Sequence, residues 1–308
     1  MNVFLTGASG FVGSHIAEHL VASDGHTVLC SRREGSDLWR CRDFMDKVRW
    51  ISTDDPCWMD EAIAFRPQAI INAAWDGVGA AGRGDWDKQL TNLGFQQDLL
   101  SVVEESRCEK FIGIGSQAEY GEFSGCIDEQ WPARPASAYG AVKLASLDVL
   151  RAFCELHGIR WFWFRLFSGF GEREGDGWLI PSTIRNMLRE RSMDITPGEQ
   201  KYAYLYIGEV AKAITAALTT SAESGIYNLS SDRAISIREL LEKIKSRVNP
   251  AFELRFGALP YRAGQSMWMQ GDNSKLRTEI YPVDSGGFEE KLDLTINYYK
   301  ALYKRGQL

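Results

Sequence analysis

Residues 2–22 constrain the fold more than any other stretch of this chain. Asn2-Val3-Phe4-Leu5-Thr6 reads as a short buried strand, and it runs directly into Gly7-Ala8-Ser9-Gly10-Phe11-Val12-Gly13. Ile16, Ala17, Leu20 and Val21 then recur as the apolar face of a helix. Strand, glycine turn and helix in this order form a unit that binds a dinucleotide, because the helix N-terminus presents backbone N–H groups to phosphate. In that unit Gly7 allows the tight turn, Gly10 lets the backbone approach a pyrophosphate, and Gly13 lets helix and strand pack closely. The spacing is Gly-x-x-Gly-x-x-Gly and not Gly-x-Gly-x-x-Gly. Ser9, Phe11 and Val12, between the glycines, join them as cofactor-binding candidates.

Strands of about five residues, at Val48–Ile51, Ala69–Asn72, Lys110–Ile114 and Arg160–Phe164, continue to alternate with helical stretches. That rhythm predicts an α/β protein, a Rossmann-type doubly wound parallel sheet covered on both faces. No internal repeat or low-complexity linker interrupts it. Alternation loosens after residue 167, where Gly169, Gly171, Gly175 and Gly177 punctuate a loop before an apolar helix around Ile180–Leu188. The expected division is a cofactor-binding domain at 1–167 and about 204–230, with a smaller C-terminal substrate-binding domain at 168–203 and 231–308. Substrate should lie between the lobes, at the carboxyl ends of the strands.

Tyr139 and Lys143, in Ser-Ala-Tyr-Gly-Ala-Val-Lys, stand four residues apart and so share one helical face. A tyrosine hydroxyl titrates near ~10 and is a poor acid or base at neutral pH unless a cation favours its phenolate. Lys143 can be that cation. Phe111-Ile112-Gly113-Ile114-Gly115-Ser116 is a buried strand ending on a hydroxyl, followed by Gln117-Ala118-Glu119-Tyr120-Gly121.

The glycine pattern, Asn72-Ala73-Ala74 after the fourth strand, Ser116 and the Tyr139/Lys143 pair together resemble the extended short-chain dehydrogenase/reductase family, in its nucleotide-sugar epimerase/dehydratase branch. Nearly the whole chain takes part, through Arg165-Leu166-Phe167, Gly198-Glu199-Gln200, Tyr227-Asn228-Leu229 and Leu259-Pro260-Tyr261-Arg262-Ala263-Gly264. The resemblance implies that Lys143 holds the nicotinamide ribose and lowers the pKa of Tyr139, that Ser116 bonds the substrate oxygen, and that Tyr139 donates the proton as hydride arrives. Ala73, Ala74 and Asn92 would stand by the cofactor, although Asn92 also reads as a surface helix asparagine. Asp54 resembles the family's adenine contact.

Cofactor choice follows from Thr27-Val28-Leu29-Cys30-Ser31-Arg32-Arg33, the second strand and its end. NAD sites place an acid there for the ribose 2′-hydroxyl; Ser31, Arg32 and Arg33 instead suit a 2′-phosphate and favour NADP(H). Among reactions, a 4,6-dehydratase of the family carries Asp-Glu after the Ser/Thr, whereas this chain has Gln117-Ala118. The Gly115-to-Gly121 and Pro260-Tyr261-Arg262 segments look most like 4-ketoreductases of the abequose and paratose synthase type. The expected reaction is therefore NADPH-dependent reduction of the C4 keto group of a nucleoside-diphosphate 4-keto-6-deoxy sugar. An epimerase with a recycled cofactor and a non-catalytic NADP sensor or scaffold stay open. Arg262 resembles the family arginine on the substrate diphosphate, and Gln200 falls in a second substrate segment. Ser168 replaces the asparagine expected after Arg165-Leu166-Phe167. Trp75 and Gln117 should meet the sugar, on which Trp178 and Trp268 could stack; Trp161 and Trp163 read as packing. Glu119 reads either as a surface carboxylate or as a contact to a sugar hydroxyl.

Composition narrows the partners. The 308 residues are 44% hydrophobic and 25% charged, with a net charge of −6, so polyanionic nucleic acid is not an expected partner. No run of eighteen apolar residues occurs and the N-terminus enters a strand without a leader, so a cytoplasmic protein outside the membrane is expected. Six scattered cysteines without a Cys-x-x-Cys pair fit free thiols in a reducing compartment. His15 and His19, four apart, lack the intervening acid and third ligand of a metal site. Apolar stripes on helices at Trp86–Glu105 and Ala138–His157 lead to an expected homodimer, as in the family.

Overall fold

The computed structural model describes residues 1–189, 191–262 and 264–307. Ala263, in the segment Leu259 to Gly264, lies outside them. The first half runs β1 (Asn2–Thr6), α1 (Phe11–Ala22), β2 (Thr27–Arg32), β3 (Arg49–Ser52), α2 (Trp58–Ala64), β4 (Ala69–Asn72), α3 (Trp86–Ser106), β5 (Lys110–Ser116), β6 (Gly125–Ile127) and α4 (Ala138–His157). It continues through β7 (Arg160–Leu166), β8 (Ser168–Phe170), α5 (Leu179–Leu188), β9 (Met193–Ile195), β10 (Lys201–Tyr202), β11 (Tyr204–Tyr206), α6 (Ile207–Ala216), β12 (Gly225–Leu229) and β13 (Ile235–Ser236). α7 (Ile237–Val248), β14 (Leu254–Phe256), β15 (Trp268–Gly271), α8 (Ser274–Glu279) and α9 (Phe288–Lys304) complete it.

Seven parallel strands form the main sheet in the order β12-β7-β5-β4-β1-β2-β3. The order reverses at β1, which opens a crevice at the strand ends between β1 and β4. Strands here read as continuous apolar runs because both sheet faces are covered. Ile16, Leu20, Val210 and Ile214 of α1 and α6 pack one face; Leu99, Val103, Leu147 and Leu150 of α3 and α4 pack the other. Each such side chain, fully buried, contributes about 1.5–3 kcal/mol. A third cluster, with Ile184, Leu240, Leu241 and Ile296, is the core of the C-terminal layer built from α5, α7 and α9.

β5 ends on Ser116, as the run from Phe111 to Ser116 leads one to expect, because Gly115 and Ser116 still pair with Arg165 and Leu166 of β7; Ser116 is thereby held by the sheet itself. Within Tyr204–Asn228, β12 joins the main sheet but Tyr204–Tyr206 pairs with Ser168–Phe170 in a separate two-stranded sheet. β8 follows directly on β7 and carries its partner β11 out of the parent sheet.

Local signals account for the long helices. Ser137 caps α4, its hydroxyl accepting the Gly140 N–H at 3.2 Å, and left-handed Gly158 ends it. Asp85 caps α3 by accepting the Lys88 N–H at 3.1 Å. All six cysteines are free thiols. No helix among the described residues is long and apolar enough to cross a membrane.

Candidate active site

At the corner that opens the chain, Gly7 has φ +72°, and a Cβ there would lie 2.5 Å from the Ala73 carbonyl carbon and the Ala74 nitrogen. At Gly13 a Cβ would come within 2.1 Å of the Gly7 oxygen. Both glycines are thus demanded by the packing of β1, α1 and the end of β4. At Gly10 the only close atom is the Gly7 oxygen, at 3.2 Å, and no side chain caps the first turn of α1. A helix N-terminus left without a side-chain cap, on a glycine, fits the pyrophosphate of a pyridine dinucleotide. Ser9, Phe11 and Val12 are half-buried around it. Arg40 joins the rim: its Nη1 donates to the Ser9 carbonyl at 3.4 Å.

The end of β2 separates its three candidates. Ser31 is buried inside the strand, Arg32 is half-buried, and the side chain of Arg33 is 68% exposed. Arg33 lies 3.5 Å from Asp76, an exposed pair worth about 0–1 kcal/mol and easily exchanged for another anion. Asp54 accepts the Glu34 N–H at 2.6 Å, which ties the loops after β2 and β3 together. Asn92 reaches neither Ser116, Tyr139 nor Lys143. It holds the loop after β4, accepting the Asp76 N–H at 2.8 Å and donating to the Asp76 carbonyl at 3.2 Å.

Ser116, Tyr139 and Lys143 do converge. β5 delivers Ser116 and the first two turns of α4 deliver the other two, all three nearly buried. The Ser116 hydroxyl accepts the Ala118 N–H at 3.2 Å and stands close enough to the Tyr139 phenol to favour its ionised form. Lys143 Nζ donates to the Ile114 carbonyl at 2.6 Å and lies 3.6 Å from the centroid of the Trp75 ring. Trp75 meets Tyr139 edge-on at 6.2 Å, and its Nε1 donates to Gln89 at 2.8 Å.

The electrostatics differ from the expectation that Lys143 lowers the pKa of Tyr139. Burial pushes the Tyr139 phenol up, and the influences that oppose burial are Arg83 and then the Ser116 hydroxyl. Lys143 is itself pushed down by burial to about 7, against the attraction of Glu119. An ammonium shut under an indole loses hydration, so it is a weaker cation than the motif suggests.

Glu119 is neither at the surface nor facing a sugar. It is fully buried, accepting the Ser116 N–H at 2.7 Å, Trp163 Nε1–H at 3.0 Å and Arg165 Nε–H at 2.7 Å. Gly113 and Gly115 make room for this arrangement: a Cβ on either would meet the Trp163 indole at 2.1–2.3 Å. Trp163 packs as expected and also bonds the carboxylate. Arg165 stacks on Tyr120, its guanidinium carbon 4.1 Å from the ring centroid. The pair escaped the sequence reading because Glu119, in the turn after β5, and Arg165, on β7, become neighbours only through the β5–β7 register.

The substrate-side candidates form a second group. Ser168 is half-buried in β8, whose next residue, Gly169, faces Phe11. Gln117 is half-buried in the single 3-10 turn after β5. Gln200 is buried, with Nε2 donating to Thr196 at 3.2 Å and Oε1 without a partner among the described residues. The Glu199 N–H donates to the Tyr261 hydroxyl at 3.2 Å, which brings the Gln200 and Arg262 segments together; Arg262 itself is exposed. Among the described residues none of Ser168, Gln200 and Arg262 shares a hydrogen bond with Ser116, Tyr139 or Lys143. Trp178 and Trp268 are each 43% exposed.

The two helix-1 histidines serve packing. His15 bonds Glu172 O and Arg173, and burial holds its pKa down at about 4, while His19 bonds Thr215. Among the described residues no group of three His, Cys, Asp or Glu could hold a metal ion.

The family described as NAD dependent epimerase/dehydratase matches residues 3–230. A putative UDP-glucose 4-epimerase of Methanocaldococcus jannaschii is 25% identical over 95% of this chain and 94% of its own. The CDP-abequose synthase of Salmonella muenchen is 22% identical, over 89% of this chain and 90% of its own. The UDP-glucose 4-epimerase of Thermus thermophilus, solved with NAD, superposes with a TM-score of 0.85 at 26% identity, over 97% of this chain and 99% of that one. With three quarters of its length inside the family match and the dinucleotide corner and Ser/Tyr/Lys cluster in place, the chain belongs to the NAD dependent epimerase/dehydratase family, the extended short-chain dehydrogenase/reductase enzymes that act on nucleotide sugars.

Proposed function

We propose that this enzyme reduces the C4 keto group of a nucleoside-diphosphate-linked 4-keto-6-deoxy sugar, using NADPH. The observation that carries the reading is the fate of Glu119. It is the acid nearest in sequence to Ser116, and it is consumed by three donors inside the protein. Gln117 and Ala118 supply no acid or base, so the site can exchange a proton at one oxygen through Tyr139, while the segment that follows Ser116 offers no free carboxyl to drive loss of water. Arg32 and Arg33, with no acid at the end of β2, support NADP(H) over NAD.

Bound at the glycine corner, the pyridine nucleotide would supply the hydride. Ser116 would orient the substrate oxygen and Tyr139 would protonate it, while Lys143 would hold the ribose once Trp75 yields its contact. Trp75 would border the sugar, and Gln200 and Arg262 would take the nucleotide end. The exposed apolar side chains Trp86 and Leu90 of α3 and Val149 and Leu156 of α4 support a homodimer.

A second reading is C4 epimerisation with a retained cofactor, favoured by the epimerase relatives, one of them solved with NAD. Following nicotinamide absorbance with CDP-, GDP-, dTDP- and UDP-linked 4-keto sugars separates the two. Stoichiometric oxidation of NADPH, lost in Tyr139→Phe, is expected. Interconversion of nucleotide sugars without net oxidation would move the assignment to epimerase.

A further inference from the structure

Lys143 is not the only cation beside the reactive phenol. The guanidinium carbon of Arg83, on the loop between β4 and α3, lies 4.8 Å from the centroid of the Tyr139 ring and 5.8 Å from that of Trp178. The Arg83 carbonyl accepts the Tyr139 N–H at 3.0 Å. One residue therefore grips the start of α4 through its backbone and lays its charge on the face of the phenol.

The loop that presents Arg83 is built to hold its shape. Gln89 Nε2 donates to the Gly77 carbonyl at 2.9 Å and to the Gly82 carbonyl at 2.8 Å, and Asn92 grips Asp76 from the same helix. Gly77 has φ +82°, and a Cβ on Gly82 would lie 2.7 Å from the Gly77 Cα, so the loop closes tightly on itself. Arg83 Nε donates to the Val78 carbonyl at 2.9 Å, which directs the fork. Among the described residues no carboxylate neutralises Arg83. Of the two acids on this loop, Asp76 pairs with Arg33 and Lys88, and Asp85 caps α3.

We propose that Arg83 is a positioning residue for the reaction: its uncompensated charge, held over Tyr139 by a rigid loop, makes the phenol able to give up and take back its proton. This role rests on Tyr139 being the proton donor. The groups facing the phenol are Arg83 from the loop, Ser116 from β5, Glu119 from the turn after β5 and Lys143 from the next turn of α4. Of these, Arg83 opposes the effect of burial most, Ser116 follows, and Glu119 acts the other way. Lys143, bonded to Ile114 and covered by Trp75, spends its charge elsewhere.

The test uses the full chain with a fluorinated tyrosine incorporated only at position 139, titrated by fluorine NMR without substrate. Arg83→Gln should raise the midpoint by roughly one pH unit, a value discounted for the partial exposure of Arg83. Arg83→Lys should restore most of the shift, and high salt should shrink it. Both variants keep the backbone bond to Tyr139, so folding should survive, as urea midpoints would check. An unchanged midpoint in Arg83→Gln, or Arg83→Lys behaving like Arg83→Gln, would overturn the proposal. Turnover is measured apart from this titration: a shifted midpoint in a protein that reduces no nucleotide sugar would remove the reductase reading and keep the role of Arg83.

Discussion

Replacing Glu119 by glutamine alters one atom and its charge, yet it should lower folding stability by about 3–5 kcal/mol, the usual effect of removing one member of a buried ion pair. The carboxylate is fully buried and its partner Arg165 is 3% exposed, so solvent cannot take over either charge. A glutamine oxygen can still accept the Ser116 N–H. Its amide then faces Arg165 Nε, donor against donor, across a contact that is 2.7 Å in the parent. An orphaned N–H adds about 1–3 kcal/mol, but this overlaps with the loss of charge and is not to be summed with it. Against a typical total of about 5–15 kcal/mol the loss is large. Urea unfolding should show a lower midpoint at unchanged slope. Removing both charges with Glu119→Leu and Arg165→Met together should do less damage than Glu119→Gln alone, because no stranded guanidinium remains. A loss below about 1 kcal/mol in Glu119→Gln, or a double variant less stable than the single one, would refute the argument that an uncompensated charge dominates.

Gly13→Ala should cost about 1–3 kcal/mol or more and abolish cofactor binding, since the new Cβ would meet backbone atoms of Gly7 at 2.1 Å and 2.6 Å that cannot rotate away; calorimetry with NADPH reads the second effect. Burial pushes the Glu174 carboxyl from 4.5 up to about 8, so between those values the native state holds a proton that the unfolded chain has lost. Stability should therefore fall as pH rises through that window, by up to about 1.4 kcal/mol per unit, and Glu174→Gln should flatten the slope of urea midpoint against pH. Arg33→Ala should weaken NADPH binding by roughly tenfold, as expected for one charge-assisted contact, and leave NADH nearly unchanged; equal weakening of both by titration would take the 2′-phosphate role from Arg33.

The sheet was legible because each buried parallel strand is a local apolar run and each crossing helix has a local period. Tyr139 and Lys143 were legible for the same reason: a spacing of four on one helix already places them on one side. Glu119 was not. Its neighbour Arg165 is forty-six positions away, and the carboxylate turns inward only because Gly113 and Gly115 leave a slot for Trp163. Arg83 sits in a glycine-rich loop with no period to read.

The amino-acid order by itself determined the dinucleotide corner, the alternation of strand and helix and the presence of a Ser/Tyr/Lys set, since each depends on neighbours within a few residues. Only the tertiary structure decided which charges govern the phenol. Burial, the β5–β7 register and the closure of the β4–α3 loop set the distances between ions, and the strength of an ionic interaction depends on distance and solvent access rather than on spacing along the chain.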